Sequence, residues 1–159
     1  MSSRNGSLLV PLLALALAGS ASSAPPGHYY GVVESFGGGE VVLRTTQHST
    51  GHWRVDGSTR VTGAVMAWDW AFVEVEPSGH VKVLRSEEHA TPRSGVVKEV
   101  HGNVLTDHSG NAMERWNLVE TTLASGVEPG DLHPGDAVGV KVFKNHNLAE
   151  VRLVKRGAQ

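Results

Sequence analysis

The stretch Gly31-Val32-Val33-Glu34 decides the fold, because it recurs in the second half of the chain as Gly95-Val96-Val97-Lys98. A second landmark follows each copy at almost the same spacing, since Trp53 recurs as Trp116. Landmarks that recur in the same order at nearly one spacing indicate a repeated structural unit. The sequence therefore predicts two copies of one small domain.

Two further matches extend the repeat. Ser58-Thr59 recurs as Thr121-Thr122 at the same spacing as the tryptophans. Val81-Lys82-Val83-Leu84 matches Val151-Arg152-Leu153-Val154 at a wider spacing. The wider spacing predicts an insertion in the second copy, and residues 125–134 are its natural place.

Each copy has the pattern of five short strands rich in valine, a residue that favours β structure. Gly37-Gly38-Gly39 supplies the positive φ angles of a tight hairpin, and Asn145-His146-Asn147 is predicted to turn the chain into the last strand. No stretch after residue 25 keeps apolar residues at helical spacing, so the sequence predicts an all-β fold. The predicted strands of the first copy are 30–36, 40–46, 52–56, 71–76 and 80–85.

Five short strands make a marginal unit, since a domain of about 60 residues buries little of its surface. Closing the strands into a barrel removes the exposed edges, and pairing two barrels buries more area. We therefore expect two tandem five-stranded barrels at residues 28–86 and 94–156, joined by a polar link over residues 86–94.

Residues 1–21 contain the three parts of a secretory signal. Arg4 supplies a positive charge, residues 8–18 form an unbroken apolar run, and the small residues Gly19 and Ala21 precede the expected cleavage site. The run is shorter than the roughly 20 residues that a membrane-spanning helix needs. The sequence predicts a signal peptide at residues 1–21, with cleavage after Ala24 as the alternative, and a periplasmic or secreted protein.

Composition restricts the partners. Loss of Arg4 with the signal peptide changes the net charge from −2 to −3 with neutral histidine, so we expect no nucleic acid and no anionic lipid as partner. We also expect no membrane insertion once the signal peptide is cleaved. The chain has no cysteine, which excludes a disulfide and a lipid anchor on cysteine. An envelope protein or a glycan is compatible with this composition.

Four segments of the second copy follow one another in an order that is familiar from a known family. They are Gly95-Val96-Val97, Gly102-Asn103-Val104-Leu105-Thr106, Asp131-Leu132-His133-Pro134-Gly135-Asp136-Ala137-Val138 and Leu148-Ala149-Glu150-Val151. In this order the chain resembles a bacterial family of secreted, often tandem, OB-like β-barrel domains of unknown function. The resemblance implies an OB-like form for both barrels and an exported location, and it implies no activity. The first copy departs from the pattern, with Trp68-Asp69-Trp70 in place of the Pro-Gly-Asp turn.

The second copy also resembles the periplasmic copper and silver carrier barrels, which hold a monovalent metal with a strand histidine, a tryptophan and methionines. His108 lies shortly before Trp116, with Met113 between them. That family places its methionines shortly after the tryptophan, and residues 118–121 here contain none. The thioether ligands that favour Cu(I) are therefore missing at those positions.

Nine histidines are many for a chain of 159 residues. His48 and His52 lie in a predicted turn that enters a strand, and His108 lies in the corresponding turn of the second copy. These three are the candidate ligands for copper or zinc, which would require them to converge, because a bound metal wants three or four ligands. The other interpretation is that they are solvent-exposed turn residues and that no metal is bound.

The tryptophans divide into two groups. Trp53 and Trp116 occupy matching places on strands, and we expect both in the core. Trp68 and Trp70 lie at a loop-to-strand junction found in one copy only. They can cap the barrel, pack on the partner barrel or present a sugar-stacking surface.

Enzyme motifs are missing from the sequence: it has no Gly-x-Ser-x-Gly elbow, no His-Glu-x-x-His pair and no phosphate loop. We therefore expect an exported, non-enzymatic binding or structural module with no catalytic residues and no cofactor. The alternatives are a periplasmic copper or zinc protein that uses histidines and an envelope scaffold or adhesion module.

The signal peptide gives the first prediction. We expect the exported protein to begin at Ser22, because Gly19 and Ala21 fill the two small-residue positions before the cleaved bond. Mass spectrometry of the exported protein measures this end directly. A cytoplasmic product that retains Met1 would contradict the predicted location.

Overall fold

A computed structural model describes residues 24–47, 49–102, 104–109 and 112–158, and it shows an all-β fold of two six-stranded sheets. The strands of the first sheet are β1 Gly27–Gly37, β2 Glu40–Thr45, β3 Thr50–Arg54, β4 Arg60–Thr62, β5 Trp70–Val75 and β6 Val81–Glu88. Those of the second are β7 Thr91–His101, β8 Val104–Ser109, β9 Ala112–Asn117, β10 Leu123–Ser125, β11 Ala137–Val142 and β12 Leu148–Lys155. The predicted all-β fold is confirmed, while the predicted signal peptide, residues 1–21, lies outside the described residues.

The two sheets have the same strand order. It runs β3-β2-β1-β5-β6-β4 in the first sheet and β9-β8-β7-β11-β12-β10 in the second. The short strands β4 and β10 pair parallel to β6 and β12, and the other named pairs are antiparallel. The sequence predicted five strands a copy. The additional strand of each sheet, β4 or β10, has only three residues and is too short to show an alternating pattern.

Outside these pairs, one isolated parallel bridge joins the third strand to the start of the last in each half of the chain. Arg54 bridges His80 in the first half, and Asn117 bridges Asn147 in the second. The two bridges occupy the same place in the two sheets.

The match between the last strands differs from the sequence prediction. Val73 of β5 pairs with Leu84, and Val140 of β11 pairs with Val151. Leu84 therefore corresponds to Val151, whereas the sequence comparison had aligned Leu84 with Val154, so the predicted match of β6 with β12 is wrong. Residues 81–84 and 151–154 both read valine, a basic residue and then two aliphatic residues, so the shifted match looked regular.

The connection between the sheets is shorter than the sequence predicted. The polar link was expected over residues 86–94, but β6 extends to Glu88 and β7 begins at Thr91. Only His89 and Ala90 lie between these two strands. Charged residues at the ends of the strands gave the segment the composition of a loop.

Each sheet packs around a buried tryptophan, as expected. Trp53 is 2% exposed beside Leu43 and Leu84, and Trp116 is fully buried beside Val138. The Trp116 indole N–H donates to Glu114 at 3.1 Å. The Trp53 indole nitrogen has no hydrogen-bond partner among the described residues.

A buried aspartate lies just before the fifth strand of the first sheet. Asp69 is 1% exposed, and its Oδ2 accepts hydrogen bonds from the Met66 backbone N–H at 2.9 Å and from the Ser86 hydroxyl at 2.8 Å. Its Oδ1 lies 2.7 Å from Nδ1 of His89. The carboxylate therefore joins the turn before β5 to the end of β6.

Asp136, also 1% exposed, has the same position before β11. It accepts hydrogen bonds from the backbone N–H groups of His133 and Gly157 at 3.0 and 2.9 Å, and from the Arg156 guanidinium at 2.8 Å. The N–H groups of Gly157 and His133, with a smaller effect of Arg156, hold the pKa of Asp136 below its ordinary value. Both sheets thus use a buried carboxylate to fix the chain after the last strand.

Of the residues that the structure describes, none belongs to a helix long and apolar enough to cross a membrane.

Gly31, the first residue of the Gly31-Val32-Val33-Glu34 motif, has no room for a side chain. It lies on β1 opposite Thr45, and a Cβ at this position would lie 2.2 Å from the carbonyl oxygen of Arg44. Side chains essentially never approach backbone within 3.0 Å, so any larger residue would push β1 and β2 apart.

This close approach predicts the effect of Gly31→Ala. We expect the substitution to lower the free energy of unfolding by about 1–3 kcal/mol, the usual cost of overpacking. Urea denaturation followed by tryptophan fluorescence measures it. The matched control is Gly57→Ala, where a Cβ meets no heavy atom within 4 Å. Equal unfolding free energies for the two variants would contradict the register of β1 and β2.

Candidate functional site

A third hydrophobic cluster joins the two sheets. Val32 of β1 and Ala149 of β12 are fully buried, and Phe143, which follows β11, is 6% exposed. Trp68 and Trp70 of the first sheet pack against this cluster. The Trp70 and Phe143 rings meet edge to face, with their centroids 6.2 Å apart. The Trp68-Asp69-Trp70 junction therefore packs on the second sheet, one of its three expected roles.

A cleft of about 240 Å³ opens beside this cluster, between the two sheets. The first sheet contributes Trp70 and Glu88, and the second contributes Phe143 from the turn before β12. The other lining residues are Thr46, Val119, Glu120, Thr121, Asn145 and Asn147. The cleft thus has an aromatic wall and a rim of carboxylate, amide and hydroxyl groups.

The charge of the cleft is negative. Glu88 and Glu120 line it, and no lysine, arginine or histidine does so among the described residues. Glu88 accepts a hydrogen bond from the Lys144 backbone N–H at 2.7 Å, which leaves its charge uncompensated. Among the described ion pairs, neither glutamate has a basic partner.

Thr121 is the buried polar residue of the cleft. It is 3% exposed, and its hydroxyl takes part in none of the hydrogen bonds found among the described residues. The adjacent Thr122 hydroxyl, in contrast, donates to the Leu148 carbonyl at 2.8 Å and accepts from the Val119 N–H at 2.9 Å. Thr122 therefore holds the turn, whereas Thr121 presents its hydroxyl to the cleft.

Trp68 reaches this interface from a strained backbone. Its φ angle is 68°, in the left-handed region, and Gly135 with φ of 93° has the same place in the second sheet. A non-glycine residue in this region costs about 1–3 kcal/mol. The Trp68 ring packs on the inter-sheet cluster, and Nζ of Lys141 lies 3.8 Å from its centroid. These contacts with the second sheet offset the strain.

The candidate metal ligands receive little structural support. His52 lies at the surface, and its Nδ1 is 2.9 Å from a Glu40 carboxylate oxygen. His48 lies outside the described residues, and so does the side chain of His108, whose backbone in β8 pairs with Val96 and Met113. Within the described part of the chain, no three histidine or acidic side chains form a group able to hold a metal.

His80 forms a cluster that sequence reasoning missed. Its imidazole is largely buried, with Nε2 2.9 Å from Asp56 Oδ1 and Nδ1 3.7 Å from Glu76. Ser58 lies 3.3 Å from Nε2, but its hydroxyl donates to Asp56 at 2.7 Å, so the imidazole is not placed to take that proton. The cluster holds the turn after β3 in place. Residues 56 and 58 come close to residues 76 and 80 only in the folded chain, so the spacing of these residues in the sequence did not predict the cluster.

Comparison with known protein families and with curated proteins finds no match to this chain. The resemblances to tandem OB-like domains and to the copper carriers stay predictions.

The cluster predicts how acid affects stability. Hydrogen bonds from the Ser58 hydroxyl and backbone N–H, and then from His80, lower the pKa of Asp56 from 3.8 to about 2. A lowered folded-state pKa stabilises the fold above the unfolded-state pKa, and this stabilisation is lost as the pH falls towards 2. We expect Asp56→Asn to be less stable than wild type at pH 6, with the difference much smaller at pH 2. Urea denaturation at several pH values measures this.

Glu128→Gln is the matched control for that experiment, since Glu128 is exposed and its carboxylate accepts none of the described hydrogen bonds. A stability difference between Asp56→Asn and wild type that is the same at pH 6 and pH 2 would contradict the assignment.

Proposed function

We propose that this chain is an exported, non-enzymatic binding module made of two tandem OB-like barrels, and that its ligand binds in the cleft between them. The barrels correspond to residues 28–86 and 94–156, after a signal peptide at residues 1–21. The single observation that carries the proposal is the cleft itself, in which both sheets supply lining residues.

The bridges described above support the OB-like form. An OB fold is a partly open five-stranded barrel. Without β4 and β10, the third and last strands form the two edges of each sheet. A bridge between these strands therefore brings the two edges towards each other, as in a partly closed barrel. Arg54–His80 and Asn117–Asn147 make this connection in the two halves. The short strands β4 and β10 are additions to that plan.

The shared details support duplication. Both sheets have one strand order, one buried aspartate before the fifth strand and one threonine hydroxyl that donates to the beginning of the last long strand. Thr59 donates to the Val81 carbonyl at 2.7 Å, as Thr122 does to Leu148. Unrelated sheets would have no reason to repeat these side-chain contacts.

The lining of the cleft supports binding. Ligand sites combine apolar and aromatic walls with a few placed polar groups. The Trp70 and Phe143 rings provide the wall here, and Thr121, Asn147 and the glutamates provide the polar groups. Metal binding through His48, His52 and His108 has less support, because the His52 side chain is already paired with Glu40.

The proposal predicts that filling the cleft abolishes binding. Thr46 lies at the rim and is exposed, so Thr46→Trp should occupy the cleft without disturbing the core. The control Gln47→Trp adds the same side chain at an exposed position that does not line the cleft. Wild type and both variants are screened against amines, neutral sugars, dicarboxylates and nucleotides by thermal shift.

We expect at least one class of probe to raise the melting temperature of wild type and of Gln47→Trp, because a ligand that binds only the native state stabilises it. Thr46→Trp should not respond to that probe. No response of wild type at millimolar concentrations, or an equal response of all three proteins, would overturn the proposal.

A further inference from the structure

Two glutamates line the cleft, and neither has a basic partner among the described ion pairs. We infer that its ligand is a small organic cation, an amine of the size of a short diamine; this inference rests on the proposed function of the cleft as a binding site. The glutamates, the aromatic wall and the Thr121 hydroxyl support it through three separate kinds of contact.

Electrostatics give the first argument. Glu88 and Glu120 bring two carboxylates to one small cavity, and the described lining contains no basic side chain. Two like charges at one site repel each other, and a cationic ligand relieves that repulsion while an anionic ligand increases it. Phosphates, sulfates and dicarboxylates are therefore disfavoured.

The aromatic wall gives the second argument. Tryptophan attracts ammonium groups to its ring face more strongly than the other aromatic residues do. The chain already uses this interaction next to the cleft, where Lys141 lies 3.8 Å above the Trp68 ring. Trp70 and Phe143 line the cleft itself, so the methylene groups and the charge of an alkylammonium ion both find favourable surfaces.

Thr121 gives the third argument, and it is independent of charge. The Thr121 hydroxyl takes part in none of the described hydrogen bonds, so it is free to accept one from a ligand in the cleft. An ammonium group carries three donors and no acceptor, so it needs acceptors around it. The Thr121 hydroxyl and the glutamate oxygens of the cleft provide them.

The size of the cleft limits the ligand. Sites for drug-sized molecules occupy about 300–1,000 Å³, and this cavity of about 240 Å³ is smaller. A short diamine is small enough for this volume, and its two positive charges balance those of the two glutamates. Longer polyamines would extend out of the cleft.

Isothermal titration calorimetry with 1,4-diaminobutane tests the inference, and glucose and succinate serve as the neutral and anionic probes. We expect one diamine per chain, no binding of succinate, and weaker binding as sodium chloride is raised, because salt screens the charges. Glu88→Gln and Glu120→Gln should each weaken the diamine about ten-fold, the usual loss for one hydrogen bond to a charged group.

Glu128→Gln is the matched control, since it removes the same charge from an exposed position outside the cleft. Melting temperatures show whether the variants remain folded. Absence of diamine binding, or an equal loss in Glu120→Gln and Glu128→Gln, would overturn the inference.

The outcomes separate the inference from the proposed function. Binding of glucose or succinate that Thr46→Trp abolishes would refute the cationic ligand and leave the cleft as the binding site. Diamine binding that Thr46→Trp does not affect would refute both, because the amine would then bind elsewhere.

Discussion

The packing of Phe143 against the first sheet is the contact on which the cleft depends. Phe143 is carried by the turn that leads into β12, and its ring meets Trp70 from the other half of the chain. Truncating a buried phenylalanine typically costs about 3–5 kcal/mol. Together with the short connection between β6 and β7, this packing holds the two walls at a fixed separation. Without it, the glutamates and the aromatic wall would not face one space.

The two sheets fix the end of their last strand in the same way, but with different basic side chains. A buried carboxylate fixes the end of the last strand in both, but its basic partner is His89 in the first sheet and Arg156 in the second. The guanidinium is always charged, whereas the charge of an imidazole depends on its surroundings. The two sheets thus have a buried aspartate at the same position but different basic side chains beside it.

The sequence was sufficient for the regular parts of the fold. Alternating valines predicted the strands, Gly38 and Gly39 adopt the positive φ angles expected of a hairpin, and Trp53 and Trp116 lie in the core. The cleft was not predictable, because its lining residues come from positions between 46 and 147 that only the packing of two sheets brings together. Periodicity reports which face of a strand is buried, and it carries no information about which two strand ends meet across an interface.

At Trp68, backbone strain within the first sheet is set against packing between the two sheets. The second sheet has glycine at the same place, and glycine adopts the left-handed conformation at no steric cost. In the first sheet the strained residue is tryptophan, and its ring packs against the second sheet. Selection for greater stability of the first sheet alone would therefore favour loss of the Trp68 ring. The packing between the two sheets would then weaken, and their relative position would be less well fixed.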